Sequence, residues 1–370
     1  MSTPKHTALH AEHKQLGASF TDFGGWDMPL KYGSELTEHR AVRASAGLFD
    51  LSHMGEIRVS GPDAATFLNT ALVGNLAAVQ VGRAKYSLIC AEDGGIIDDL
   101  ISYRLAEQEY LVVPNAGNAA VVAAAFAERA AGFDVAVVDE SNQTSLVAVQ
   151  GPNSVAILHR LVPESQRELV SEMRYYAASP ATVAGIEVLL ARTGYTGEDG
   201  FELYVRNDLA PALWRALLEA GAPHGLIPAG LASRDSLRLE AGMPLYGNEL
   251  SREVTPFAAG LGPVVSFKKD EQFVGRAHLE PLREAAPERV LVGLRGTGRR
   301  AGRGGYAVRV AGENVGHVTS GQPSPTLGYP IALAYVAPEH SAVGTRVDVD
   351  LRGTDEPFEV VALPFYTRGA

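Results

Sequence analysis

DLSHMGEIRVSGPDAATFLNTALV (residues 50–73) has a near copy further along the chain, SLVAVQGPNSVAILHRLV (145–162), and this pair decides how the fold is read. In each, an apolar run reads as a strand, Gly-Pro as a turn, Asp63 or Asn153 as a helix N-cap, and the following apolar stretch as a short helix. Self-similarity of this kind points to two related modules. The first continues through strands at 85–90, 96–105 and 110–114, an Ala-rich helix at 117–131 and a strand at 134–139. That order, β-α-β-β-β-α-β, is close to a ferredoxin-like module with one additional strand. The second runs through a strand at 182–191, the turn-rich GYTGEDGFELYV (194–205), a helix capped by Asp208 and containing Trp214, and a helix over GLASRDSLRLEAG (230–242) stopped by Gly242. Ahead of both, FGGWDMPLKYGS (23–34) reads as a Gly- and Pro-broken loop, and Ser34 as the cap of a helix running to about Ala46. From about residue 255 short β-rich runs such as RVLVGLRG (289–296) and RVDVDLRG (346–353) dominate, which reads as a separate antiparallel barrel or sandwich.

Chemistry concentrates in AEDGGIIDDLISYRL (91–105). Asp93-Gly94-Gly95 is a hairpin turn signal, and side chains alternate along the strand after it. Ile97, Asp99, Ile101, Tyr103 and Leu105 share one face; Asp98, Leu100, Ser102 and Arg104 share the other. Asp98 thus lies among polar neighbours, where water or a cation can satisfy it, whereas Asp99 interrupts an apolar row. A carboxylate there is costly unless something pairs with it. The bland alternative is an aspartate that satisfies a neighbouring loop. In the next strand Leu111, Val113 and Asn115 share a face, and Asn115 is either a polar end to an apolar row or a helix N-cap. Phe201, Leu203 and Val205 form the apolar side of their strand, so by pattern alone Glu202 is solvated. On helix 230–242 Leu231, Arg234, Arg238 and Ala241 make one stripe, and arginines in such a stripe usually meet a protein carboxylate or an anionic ligand.

The totals exclude several classes. With 370 residues, 46% apolar and 20% charged, the chain reads as an ordinary soluble globular protein of two or three domains. A net charge of −11 argues against nucleic acid or an anionic membrane as a partner. The single cysteine, Cys90, excludes an internal disulfide framework, and no apolar run reaches membrane-spanning length. MSTPKHTALH lacks a signal core or transit pattern, so the expected compartment is the cytoplasm. His6, His10 and His13 lie three and four apart, as on one helix face, but no carboxylate–His pattern completes them; the expectation is a surface helix and no metal site. The arginine cluster GRRAGRGG (298–305) serves solubility or captures an acidic partner. No phosphate loop, dinucleotide fingerprint or nucleophile elbow is present.

DLSHMGEI (50–57), GGIIDDL (94–100), GYTGEDGFE (194–202), ASRDSLRLEAGMPLYGNE (232–249) and GHVTSGQPSPTLG (316–328) occur in that order over the whole length. Together they make the chain resemble the T-protein family of the glycine cleavage system, the tetrahydrofolate-dependent aminomethyltransferases. The resemblance implies an α+β fold of three domains around a central folate-binding opening. Residues 1–50 with 140–250 form the first, 51–139 an inserted second, and 251–370 a C-terminal antiparallel β-barrel. It implies transfer of a methylene group from the lipoyl arm of H-protein to tetrahydrofolate, with release of ammonia. Asp99 matches the family's essential aspartate and Glu202 its pterin-binding glutamate. Asn115, Tyr195 and Arg234 match other positions around the folate; Met54, Tyr86, Ile101, Tyr103 and Val113 are further contacts. Arg289 matches an arginine near the folate opening. Pro263, in GLGPVVSFKK (260–269), stands where many relatives carry an aromatic residue, which implies a different wall beside the folate's aromatic part.

Two other functions are weighed against this one. A folate-dependent demethylase of a small methylated substrate is a related activity, sometimes fused to flavin domains, and this chain carries no flavin fingerprint. A folate-binding iron–sulfur assembly factor would carry Lys-Gly-Cys-Tyr where this chain has Arg192-Thr193-Gly194-Tyr195.

Overall fold

Both Gly-Pro turns form, and both require glycine. Gly61 and Gly151 adopt φ of +138° and +136°. A Cβ on Gly61 would lie 2.5 Å from the Asp134 carbonyl oxygen, and one on Gly151 2.5 Å from that of Ser45. The chain therefore passes hard against a neighbouring backbone at the same point of each module. The computed structural model describes residues 4–369.

In the first module Ile57–Ser60 leads to helix Ala64–Ala71, strands Ala84–Cys90, Ile96–Ala106 and Glu109–Pro114, helix Ala119–Arg129 and strand Ala136–Asp139. The sheet order is 84–90, 96–106, 109–114, 57–60, 136–139. In the second, Thr144–Gln150 leads to helices Ser154–Leu158 and Arg167–Glu172, strands Ala178–Val183, Ile186–Ala191 and Gly200–Arg206, helix Ala210–Gly221 and strand Leu226–Pro228. Its sheet repeats the order, 178–183, 186–191, 200–206, 144–150, but Ala46–Asp50 is inserted before 226–228. That inserted strand runs antiparallel to 144–150 and parallel to 226–228. The N-terminal region consequently packs with the later module, and Leu9 and Leu48 share one core with Val147, Leu203 and Trp214.

The chain divides into two compact units. One holds the residues up to Leu68, Leu76–Tyr86 and Leu100–Arg234; the other holds Asn69–Asn75, Ser87–Asp99 and the chain from Asp235 onward. The second unit contains a closed six-stranded barrel, in the order 290–296, 330–336, 313–323, 307–310, 346–350, 355–361. Every strand pairing in it is antiparallel, and Leu294, Val318, Ala334, Val349 and Phe358 fill its interior. Arg238 is buried in this unit, donating to Glu249 at 3.0 Å and to Ser320 at 2.8 Å. Of the two stripe arginines, Arg238 is ion-paired with the carboxylates of Glu249 and Asp235. The 93–95 turn forms as expected, and a Cβ on Gly95 would lie 2.0 Å from the Arg252 carbonyl oxygen, because Ile96 donates its N–H to Ser251 and Val254.

Several local expectations are corrected. Residues 23–34 are mostly a hairpin rather than a loop, strands Ser19–Phe23 and Trp26–Lys31 joined at Gly24-Gly25. Both glycines have positive φ, as a two-residue hairpin turn demands. The stretch 182–191 is not one strand: it holds the end of strand Ala178–Val183, the turn at Ala184-Gly185 and the returning strand Ile186–Ala191. Ser34 does cap its helix, accepting the Thr37 N–H at 3.4 Å. Asn153 does occupy the N-cap position of helix Ser154–Leu158, but its side chain makes no capping bond and donates to the His224 carbonyl at 2.9 Å. Asp208 is not the cap, Leu209 being in that position, and pairs with Arg206 at 2.8 Å. The three histidines do not share a surface helix face. The helix begins at His10, and His13 is fully buried, its Nε2 2.8 Å from Asp50 and its Nδ1 2.8 Å from the Tyr32 hydroxyl.

Candidate active site

Strand Gly200–Arg206 lies between 186–191 and 144–150. Phe201, Leu203 and Val205 enter the core, as their spacing predicts. Glu202 and Tyr204 point the opposite way, but they are buried, at 9% and 5% exposure, not solvated. The period was right and the environment was not, because Tyr103 of the neighbouring module covers that face. Glu202 accepts hydrogen bonds from the Thr193 hydroxyl and, at 3.3 Å, from the Tyr103 hydroxyl. Tyr103 is also 2.9 Å from the Thr193 hydroxyl and accepts from Tyr204 at 3.3 Å. Burial pushes both phenols well above the ordinary tyrosine range, so they remain hydroxyl donors.

The segment that carries Thr193 and Tyr195 is stiffened from below. Gln150 donates to the Thr193 carbonyl at 3.0 Å and accepts the Thr196 hydroxyl at 2.9 Å. Arg43 ties down the Thr196 carbonyl and Glu198, and Arg192 forms a two-pronged pair with Asp199 at 2.9 and 2.6 Å. The Arg234 guanidinium lies 4.8 Å over the Tyr195 ring. Burial lowers its pKa from the usual arginine value, while the charge of Glu202 and the neighbouring Tyr195 oppose that shift. His53 is buried beside them. Burial brings it down to about 4, Asp50 pulling it up and Arg234 pushing it further down. Its Nδ1 has no hydrogen-bond partner among the described residues, and its ring stands edge-on to Phe23 at 5.4 Å. A buried carboxylate held by two hydroxyls, a desolvated arginine on a tyrosine face and a neutral imidazole suit a flat heteroaromatic ligand with paired N–H donors.

Other expected contacts belong to the same unit. Ile101 and Val113 are directly paired across strands 96–106 and 109–114. Asn115 follows the latter strand; its carbonyl accepts the Asn118 N–H at 2.9 Å, and Asn118, not Asn115, is the helix N-cap. Met54 and Tyr86 are half-buried, Met54 next to Gly55, whose N–H reaches the Pro114 carbonyl at 3.0 Å.

Asp99 and Arg289 fall in the second unit. The alternation at the Asp pair has opposite polarity to that expected: Asp98 is fully buried, and Asp99 is half-buried. Leu100 and Ser102 are buried with Asp98, whereas Ile101 is half-buried like Asp99. Ile97 and Tyr103 are buried as well, so this strand is covered on both sides and composition alone does not rank its faces. Tyr246 donates to the Ile96 carbonyl at 3.2 Å, and its pKa is raised by burial and then by the charges of Asp98 and Asp99. Arg289 is exposed, 3.3 Å from His317 Nδ1, at the edge of a cavity of about 540 Å³ lined also by Phe257, Leu282 and Tyr335.

Sequence reasoning missed Thr193, Tyr204 and His53. Each lies inside or beside a quoted motif, but only the folded chain shows that the two hydroxyls converge on Glu202 or that His53 is buried.

Comparison with known proteins gives the family. Residues 9–269 match the GCVT N-terminal domain, and 289–367 match the glycine cleavage T-protein C-terminal barrel domain. The aminomethyltransferase of Streptomyces avermitilis is 62% identical, with 99% of each chain covered, and that of Streptomyces coelicolor is 61% identical, with 98% of each covered. The crystal structure of glycine cleavage system aminomethyltransferase T from Bartonella henselae superposes with a TM-score of 0.90 at 38% identity, covering 99% of this chain and 98% of that one. The chain therefore belongs to the glycine cleavage T-protein family, and it is an aminomethyltransferase.

Proposed function

We propose that this enzyme takes the methylene of an aminomethyl group carried on the dihydrolipoyl arm of H-protein and delivers it to tetrahydrofolate. The carbon's bonds to sulfur and to the amino nitrogen break, and two bonds to folate nitrogens form. The two protons those nitrogens lose go to the departing thiolate and amine, giving 5,10-methylenetetrahydrofolate, the reduced arm and ammonia.

The observation that supports this reading best is Glu202, a carboxylate buried to 9% exposure and held by the Thr193 and Tyr103 hydroxyls. A pterin edge offers an N–H beside an amino group, which one carboxylate accepts together. Tyr195, Arg234 and Asn115 then orient the ligand, with Met54, Tyr86, Ile101, Tyr103 and Val113 as its apolar contacts. Arg289 is assigned to the folate opening on the strength of the family resemblance alone. Asp99 is the carboxylate that stabilises iminium character as the carbon changes partners. The three-domain division, 1–50 with 140–250, 51–139 and 251–370, is retained as a proposal supported by the three separate larger sheets. The proposed compartment is the cytoplasm.

The test is an assay with aminomethylated H-protein and tetrahydrofolate, beside a direct measurement of folate binding. Asp99→Asn should lower kcat by about 10²-fold or more and leave the folate Kd nearly unchanged. Glu202→Gln should weaken folate binding by about tenfold or more. Equal turnover by wild type and Asp99→Asn would remove the role assigned to that residue.

A further inference from the structure

The first residues of the described chain are pinned to the 19–31 hairpin. Lys5 donates its N–H to the Gly25 carbonyl at 2.8 Å and accepts that of Asp27, also at 2.8 Å. Two residues on, the Thr7 hydroxyl donates to Asp50 at 2.7 Å, and the Thr7 carbonyl accepts the His10 N–H at 3.2 Å. Both ends of the His6–His10 spacing are thereby set by backbone bonds. His6 and His10 stack with ring centroids 3.9 Å apart and planes 9° from parallel. Each presents its Nε2 to the same oxygen, Asp27 Oδ2, at 3.8 Å.

At that distance neither contact is a hydrogen bond. His10 is nevertheless 9% exposed, packed against the Phe20 ring at 4.8 Å, and neither of its ring nitrogens has a hydrogen-bond partner among the described residues. A buried imidazole with both nitrogens unsatisfied is costly, and something should supply the missing partner. One donor atom from each of His6, His10 and Asp27 lies within 4.8 Å of the others. The edge of a tetrahedron with bonds of 2.0–2.1 Å is about 3.3 Å, so the donor atoms need draw only a little closer, while the stacked rings turn out of parallel so that one ion lies in the plane of each.

We propose that His6, His10 and Asp27 bind a first-row divalent transition ion, zinc being the simplest probe, with solvent completing the coordination. Two imidazoles and one carboxylate suit such an ion, whereas magnesium and calcium prefer oxygen alone. Asp27 offsets its charge, against the nearby cation of Lys14. The ion ties the start of the chain to the 19–31 hairpin; no residue assigned to methylene transfer takes part. The site is independent of the proposed function.

The experiment uses the full chain, stripped of metal with a chelator and dialysed. Zinc affinity is measured by competition with a chromophoric chelator, cobalt(II) coordination by its visible absorption, and stability by thermal melting. Wild type should bind one zinc per chain, show a tetrahedral cobalt spectrum and melt higher with zinc. His10→Ala and the more exposed His6→Ala should each weaken binding by about 100-fold and Asp27→Asn by about tenfold. Exposed His278→Ala should match wild type. His6→Ala guards against misfolding, since its side chain is 48% exposed. The proposal is overturned if wild type binds no zinc at micromolar concentration, or if His6→Ala and His10→Ala bind it as wild type does.

Discussion

Two buried residues of the DLSHMGEI motif should give stability opposite pH trends. Burial, reinforced by Asp139 and Glu140, raises Glu56 well above the usual carboxylate range, and neither of its oxygens has a partner among the described residues. Burial therefore favours its protonated form in the fold. Its contribution is complete below its unfolded pKa and fades as pH rises through the higher folded value. His53 behaves in reverse. Its pKa falls from 6.5 to about 4, so its contribution is complete above pH 6.5 and disappears as pH drops toward 4. The full span is worth about 3 kcal/mol. In urea titrations across this range, Glu56→Gln should flatten the loss on the alkaline side and His53→Gln the loss on the acid side. A variant with the wild-type pH slope would refute the assignment for that residue. The motif itself was legible. That its polar side chains lie buried was not, because a strand's sequence does not say what covers it.

At the scale of elements, the duplicated strand-turn-helix makes its strongest demand at Gly61 and Gly151. Alanine at either should cost about 2 kcal/mol or more, since positive φ and a backbone collision act together. Gly185 is the control: its φ is +76°, but nothing lies within 4 Å of its would-be Cβ. Gly185→Ala should cost only about 1 kcal/mol, and urea melts of the three variants would show the difference. Element order and type followed from the sequence because apolar periods and Gly-Pro punctuation are local properties. Caps were less legible. Asn153 sits at the N-cap position, but its side chain turns to the distant His224 carbonyl, whereas the helix after Asp208 is capped one position later, at Leu209, and Asp208 pairs locally with Arg206.

For the whole molecule, a net charge of −11 leaves the exposed Arg299, Arg300 and Arg303 as a local basic patch. Arg300 reaches Glu356 at 2.5 Å yet stays 60% exposed, and the Arg303 guanidinium donates to the Gly321 carbonyl at 3.5 Å. If this patch steers an acidic H-protein, reversing all three charges should raise the H-protein KM several-fold at low salt and much less at high salt. An unchanged KM at low salt would remove the patch from docking.

The sequence by itself determined the family, the α+β class, the repeat and the barrel, because five ordered motifs and local periodicity survive without coordinates. The barrel's closure, the N-terminal strand inserted into the second sheet, and the pairing of Glu202 with Thr193 and Tyr103 were decided by tertiary structure. So was the meeting of His6 and His10 with Asp27, since the histidines lack a carboxylate until the 19–31 hairpin brings one back. Side chains distant in sequence become neighbours only when backbone bonding sets the register between elements, and no local pattern encodes that.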